Sequence, residues 1–419
     1  MSVFNAGVAF RRQGRRGELF LESKARKVGL RAVFKGVFMS DIPHLPQGFD
    51  IASEFPIVAR WRFFNHAGVA PISARAAAAI EQFAREARDD AYLTGRWYQR
   101  AELVRRAAAQ IINADAAEVA FTKNTSEGIA FVANGLQWQA GDQVISTAVE
   151  YPSNVYPWMN LARRYGVEHI MVGERDGRID AADIFAAVTP KTRMIALSQV
   201  EYASGFAHDM AAIGRFCRER GILFCVDGIQ AGGVLPVDVK SMNVDFWSAD
   251  GHKWMLGPEG AGVFYCRREL LNKLEPEIGW MNVVNASDYG HYDFTLRSDA
   301  KRFECGSYNI PGVLALGASL DLLLEVGIDL IHRRTLALGD YLCDQLRQRG
   351  YQLVSSRRAG EASGIVSFVD PQRRHQQIIQ QLEKQNIIIV EREGRLRASP
   401  HFYNTADDID ALAAALPKA

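Results

Sequence analysis

The sequence predicts an α/β fold, with a large domain built on a mostly parallel sheet covered by helices and a smaller α+β domain toward the C-terminus. Three observations predict it. Helical and strand-like stretches alternate from about Pro71 onward, polar residues gather where apolar strand-like runs expire, and the texture changes near residue 301, where a long helical stretch opens.

The elements follow in order. "SARAAAAIEQFAREARDD" and "YQRAELVRRAAAQIIN" have helical composition, and helix-like "TSEGIAFVANGL" precedes the strand-like "QVISTAV". "WMNLARRYG" reads as a helix before the strand "MIALSQV", and "MAAIGRFCRERG" as a helix before the strand "ILFCVDG". Strands separated by helices of this length favour parallel pairing, and ligands of such sheets collect at the carboxyl ends of the strands. Asp227 in "VDGIQAGG" and Lys253 in "SADGHK" stand at such ends. Pro311 and Gly312 open the helical stretch through "LALGASLDLLLEVG", and "GIVSFV" and "NIIIV" are strand-like beyond it. The expected organisation is a basic extension over 1–38, an N-terminal segment over 39–72, a large domain over 73–300 and a small domain over 301–419.

The extension carries Arg11, Arg12, Arg15, Arg16, Lys24, Arg26, Lys27, Arg31 and Lys35 against Glu18 and Glu22, without the apolar block of a secretory signal. A disordered tail is expected there, with an Arg-rich organellar presequence as the alternative, or a true start at Met39, where the composition turns ordinary.

The 419 residues carry 49 basic and 48 acidic side chains, a net charge of +1. No global field recruits nucleic acid or an anionic membrane, and no apolar run is long enough for a bilayer, so a small-molecule partner is expected. Cys217, Cys225, Cys266, Cys305 and Cys343 form no CxxC pair and no metal-ligand cluster. They read as buried thiols of a reducing cytoplasmic setting.

Lys253 sits between Phe246-Trp247 and Trp254-Met255-Leu256 in "DFWSADGHKWMLGPEGAGVFYC". Apolar flanks enclose the ammonium, and a buried lysine loses its proton easily and becomes a nucleophile. "GPEGAG" lacks the lysine and hydroxyl of a nucleotide P-loop, and "GLQWQAGDQV" does not fit a dinucleotide fingerprint. A cofactor that condenses with an amine remains. Pyridoxal 5'-phosphate asks for a lysine, an acid at the ring nitrogen, a flat face over the ring and an anion site. Lys253 and Asp227 answer the first two, and Thr125 and Ser126 head a helix whose exposed amides favour a phosphate. The bland alternative for Thr125-Ser126 is a helix cap.

These residues resemble the class V aminotransferase group of fold type I pyridoxal phosphate enzymes, which includes cysteine desulfurases, kynureninases and isopenicillin N epimerase-like proteins. The resemblance covers most of residues 60–419 and implies the fold type I transferase architecture. "SADGHKWMLGPEGAGVFY" is similar to the family's Schiff-base motif, implying that Lys253 holds the cofactor's aldehyde. "VDGIQAGG" implies Asp227 on the pyridine nitrogen and Gln230 on the ring hydroxyl. In "VEYPSNVYPW", Tyr151 stands where desulfurases stack a histidine, so stacking is kept and that histidine's proton transfer is lost or changed. "FECGSYNIPG" implies that Gly306-Ser307 reaches the phosphate of a neighbouring subunit, hence a homodimer with shared sites. His252 implies a phosphate contact. Asp250 replaces a serine of the pattern, and an acid there must turn away from the phosphate or order His252.

"REGRLRASPHFYNTADDIDAL" is similar to the family's C-terminal arginine segment and implies Arg397 as the clamp on a substrate carboxylate, with Arg395 as its neighbour. Tyr202 in "SQVEYASG" and Asn65 and His66 in "FFNHAGVAP" match stretches that approach the substrate in relatives. Desulfurases need a cysteine on a loop before the arginine segment, and none occurs between Gly364 and Arg397. The expectation is an aminotransferase-like enzyme on an amino acid or small amine, with Lys253 the proton carrier. An epimerase or C–S lyase is the alternative within the family, and a regulatory pyridoxal-binding protein without turnover the alternative outside it.

Overall fold

The computed structural model describes residues 39–419; the expectations for 1–38 lie outside the described residues. The strands are β1 (Arg62–Phe63), β2 (Val119–Thr122), β3 (Gln143–Thr147), β4 (Glu168–Val172), β5 (Thr192–Ser198), β6 (Leu223–Asp227), β7 (Phe246–Asp250) and β8 (Gly262–Cys266). Later in the chain come β9 (Gln352–Leu353), β10 (Val366–Val369), β11 (Ile387–Ile388), β12 (Val390–Arg392) and β13 (Arg395–Ala398).

Seven strands form the large sheet in the order β2-β8-β7-β6-β5-β3-β4. Five neighbouring strands run parallel, and β8 is antiparallel to both β7 and β2. Side chains alternate between two cores, as the period of a strand requires. Val226, Trp247 and Ala249 enter one core, whereas Cys225, Phe246 and Phe264 enter the other. Burial on both faces makes these strands continuous apolar runs, which is why they were legible as strands without alternation.

The expected helices form over Ala74–Asp89, Trp97–Ile111, Thr125–Gly135, Tyr156–Tyr165, Met210–Arg220 and Ile310–Val326. The strand-like "NIIIV" is divided: β11 pairs in parallel with β1, while Val390 begins β12 of a four-stranded sheet ordered β12-β13-β10-β9. The N-terminal segment therefore packs with the C-terminal part, and Ile42 and Phe64 join Leu338, Phe368 and Leu396 in a third core. Ser363 Oγ donates to Gly205 O at 2.7 Å, fastening the smaller sheet to the loop after β5.

Candidate active site

A cavity of about 350 Å³ opens at the carboxyl ends of β5, β6 and β7. Its walls include Asn65, Thr125, Ser126, Tyr151, Tyr202, Gln230, Asp250, His252, Lys253 and Arg397, so one cavity gathers most of the residues singled out from the sequence.

Lys253 follows β7 on a buried turn, and its surroundings lower its pKa to about 8. Burial is the main cause, Arg397 adds to it, and the nearby Asp227 opposes it. Nζ lies 5.5 Å from the centre of the Tyr151 ring, which is half exposed over the cavity. Asp227 ends β6 beneath the cavity. Burial pushes its carboxyl up to about 6, against the Ile229 N–H that donates to it at 3.0 Å and the charge of Lys253. Ser153, which sequence reasoning passed over, donates to the other Asp227 oxygen at 3.5 Å.

The helix over Thr125–Gly135 aims its N-terminus at the cavity. Asn124 is its cap, accepting from Glu127 N at 3.0 Å, so the cap reading belongs one residue before Thr125. Thr125 Oγ1 accepts from Asp250 N at 3.0 Å and locks the helix to β7, and Ser126 is left exposed to the cavity. Gly128 permits this approach, because a Cβ there would collide with Ser248 Oγ. Asp250 turns toward His252, with Oδ2 2.9 Å from Nδ1, and its Oδ1 accepts from Gly251 N at 2.7 Å. Of the two arrangements expected for this acid, the one that orders His252 is found. Gln230 accepts from Trp254 Nε1 at 2.8 Å and donates to Ala67 O at 3.1 Å, which fixes its amide against the cavity floor.

Arg397 lies on β13 and is 1% exposed. Nη1 donates to Tyr202 O at 2.7 Å and Nη2 to Asn65 Oδ1 at 3.3 Å, while Nε has no partner among the described residues. Burial lowers its pKa to about 9, and Arg392 lowers it further. A guanidinium held by neutral oxygens, with no carboxylate beside it, is an open anion site. Tyr202 presents its ring edge to Tyr151, with centroids 5.3 Å apart, and its hydroxyl donates to Glu393 at 2.9 Å.

Three expected residues are not among the cavity walls: Asp227, which is buried at the end of β6, and two others. His66 is fully buried outside the cavity walls, with Nδ1 2.8 Å from Ser399 O and Nε2 2.6 Å from the Tyr403 hydroxyl. Both nitrogens are occupied and burial holds its pKa well below the usual histidine value, so His66 is a fastening of the fold rather than a substrate contact. Ser307 is exposed and outside the cavity of its own chain. Arg392 and Glu259 line the cavity and were not singled out; nothing in "VEREGR" announces that the exposed Arg392 borders the cavity.

The set fits pyridoxal phosphate. It offers an amine of lowered pKa, a buried acid beneath, an aromatic face above, and a helix N-terminus with Ser126 and His252 for an anion. The described residues hold no cluster of metal ligands, and no helix among them is long and apolar enough to cross a membrane.

Fold and site together define a pyridoxal phosphate-dependent enzyme. The sequence profile described as Aminotransferase class-V matches residues 62–412, and the chain belongs to that family. It is 30% identical over 391 residues to a probable cysteine desulfurase of Methanothermobacter thermautotrophicus, covering 87% of this chain and 96% of that protein. It is also 30% identical over 339 residues to the cysteine desulfurase CsdA of Escherichia coli, covering 76% and 83%. Among solved structures, the apo cysteine desulfurase of Thermococcus onnurineus superposes with a TM-score of 0.81 at 25% identity, covering 89% of this chain and 97% of that one. The cystine C-S lyase C-DES, in complex with its product cysteine persulfide, superposes with a TM-score of 0.80 at 26% identity, covering 86% and 98%.

Proposed function

We propose that this enzyme is a C–S lyase that eliminates the β-sulfur of a cysteine- or cystine-type α-amino acid. The relatives' names favour carbon–sulfur cleavage over the aminotransferase-like expectation, which stands at the level of the family alone. The observation that carries the reading is the absence of a thiol from the cavity. Cys217, Cys225, Cys266 and Cys343 are buried elsewhere, and the exposed Cys305 is not among the cavity walls. Only Glu393 and Gly394 separate β12 from β13, leaving no loop there to carry a sulfur acceptor. Sulfur freed in this cavity leaves as product instead of passing to an enzyme thiol.

Bound here, pyridoxal phosphate supplies an electron-withdrawing ring that acidifies the substrate's Cα–H. Lys253 is the residue assigned to hold it and, once displaced by substrate, to take the Cα proton, because its lowered pKa leaves a larger fraction of the amine neutral near neutral pH than an ordinary lysine has. Asp227 is assigned to the ring nitrogen, Tyr151 to the ring face, Gln230 to the ring hydroxyl, and Ser126 and His252 to the phosphate. Arg397 is assigned to the substrate carboxylate, where a bidentate fork fixes charge and orientation together. The exposed Ser307 supports a homodimer in which that hydroxyl reaches the partner's phosphate site.

The test is to give the holoenzyme L-cystine, L-cysteine and S-alkylcysteines and to assay the carbon product. Pyruvate and ammonia, released with a thiol or persulfide, are expected. Alanine with an enzyme-bound persulfide would mean desulfuration, and stoichiometric amination of the cofactor without sulfur release would mean transamination; either overturns the reading.

A further inference from the structure

The hairpin β12–β13 carries more positive charge toward the cavity than one α-carboxylate needs. Its turn is Glu393-Gly394, both in the left-handed region with φ of 50° and 67°, the conformation of a tight two-residue hairpin. The register pairs Val390 with Arg397 and Arg392 with Arg395, which places all three guanidinium-bearing residues on one face, opposite the buried Leu396. Arg395 is neutralised by an ion pair with Glu174. Arg397 has only neutral acceptors, as described above. Arg392 donates to the backbone oxygen of Glu391 at 2.7 Å and makes no ion pair among the described residues.

The acids that could neutralise Arg392 are engaged or out of reach. Glu393 accepts the Tyr202 hydroxyl, Asp250 is paired with His252, and Glu259, which also lines the cavity, makes no ion pair with Arg392 among the described residues. Arg392 therefore faces like charge, and its field weakens the proton affinity of both Arg397 and Lys253. Two unneutralised guanidinium groups lining one small cavity match a ligand with two anionic ends.

We infer that Arg392 reads a carboxylate at the far end of the substrate side chain, so that the preferred substrates are α-amino acids carrying a second carboxylate. Arg397 takes the α-carboxylate and Arg392 the distal one. This rests on the lyase reading, since a disulfide-linked pair of amino acids is one such substrate. The carboxylate class itself follows from the two guanidiniums alone.

The test uses ligands that need no turnover. Calorimetry on the holoenzyme compares L-2-aminoadipate with L-norleucine, which has a methyl group where the distal carboxylate would be. The wild type is expected to bind the dicarboxylate about tenfold or more tightly, the worth of one charge-assisted contact. Arg392→Gln brings that ratio toward one, and Arg392→Lys retains part of it. In turnover, the KM for L-cystine should rise relative to that for S-methylthiocysteine in Arg392→Gln, with kcat moving little. Equal binding of both ligands by the wild type, an equal loss for both in the variant, or a variant whose main defect is cofactor affinity would overturn the inference. Absence of sulfur release from any amino acid, with the binding ratio intact, would instead overturn the lyase reading.

Discussion

Oδ2 of Asp250 lies 2.9 Å from Nδ1 of His252, in an approach too bent to count as a straight hydrogen bond. The acid is 4% exposed and its carboxylate faces the imidazole. Asp250→Ala is expected to leave the fold intact and to weaken cofactor retention by about 1–2 kcal/mol, the worth of one ordered polar contact. Equilibrium dialysis of pyridoxal phosphate measures this; unchanged retention would show that His252 needs no such support.

Lys253 is expected to be the only residue that holds the cofactor covalently. Borohydride reduction of the holoenzyme followed by peptide mapping should place the label on the peptide containing Lys253. Lys253→Ala should bind the cofactor only reversibly. A label on another lysine would refute the assignment.

The lowered pKa of Lys253 gives capture of the cofactor a direction in pH. Below about 8 the amine is mostly protonated and cannot attack an aldehyde; above it the neutral form dominates. The rate of reconstitution of apoenzyme should rise with pH through about 8 and then level. An ordinary exposed lysine would show that rise more than two units higher. Stopped-flow absorbance at a series of pH values separates the two.

Arg397→Lys keeps a charge and loses the fork, and Arg397→Ala loses both. Losing a charge-assisted contact costs about 1.5–3 kcal/mol, so apparent affinity for the amino acid should fall roughly ten- to a hundred-fold, with cofactor occupancy retained. Arg395 is the control, because its ion pair with Glu174 engages it away from the cavity. An unchanged affinity in Arg397→Ala would show that another group binds the carboxylate.

Cofactor chemistry was legible in the sequence because Lys253 and Asp227 stand where apolar runs end, and chain direction then fixes the side of the sheet they face. The strands β2 and β8 were not legible as partners, since antiparallel pairing across 140 residues of chain leaves no local sign; Val119 opposes Tyr265. His66 was misplaced for a related reason. A polar residue beside Asn65 shares its neighbourhood in sequence but is fully buried and not among the cavity walls, and only Ser399 and Tyr403, far along the chain, show that its nitrogens are taken. Arg392 stayed hidden because its position depends on a two-residue turn whose left-handed geometry falls partly on a glutamate.

The contact between Asn65 and Arg397 joins residues 332 positions apart, and the parallel pairing of β1 with β11 spans a similar length of chain. During synthesis on a ribosome, the lysine, the acid beneath it and the helix terminus all emerge before the arginine does. A nascent chain could therefore present a cofactor cradle well before it can hold an amino acid, and substrate competence arrives only when the stretch over 387–397 folds back onto the stretch over 62–65.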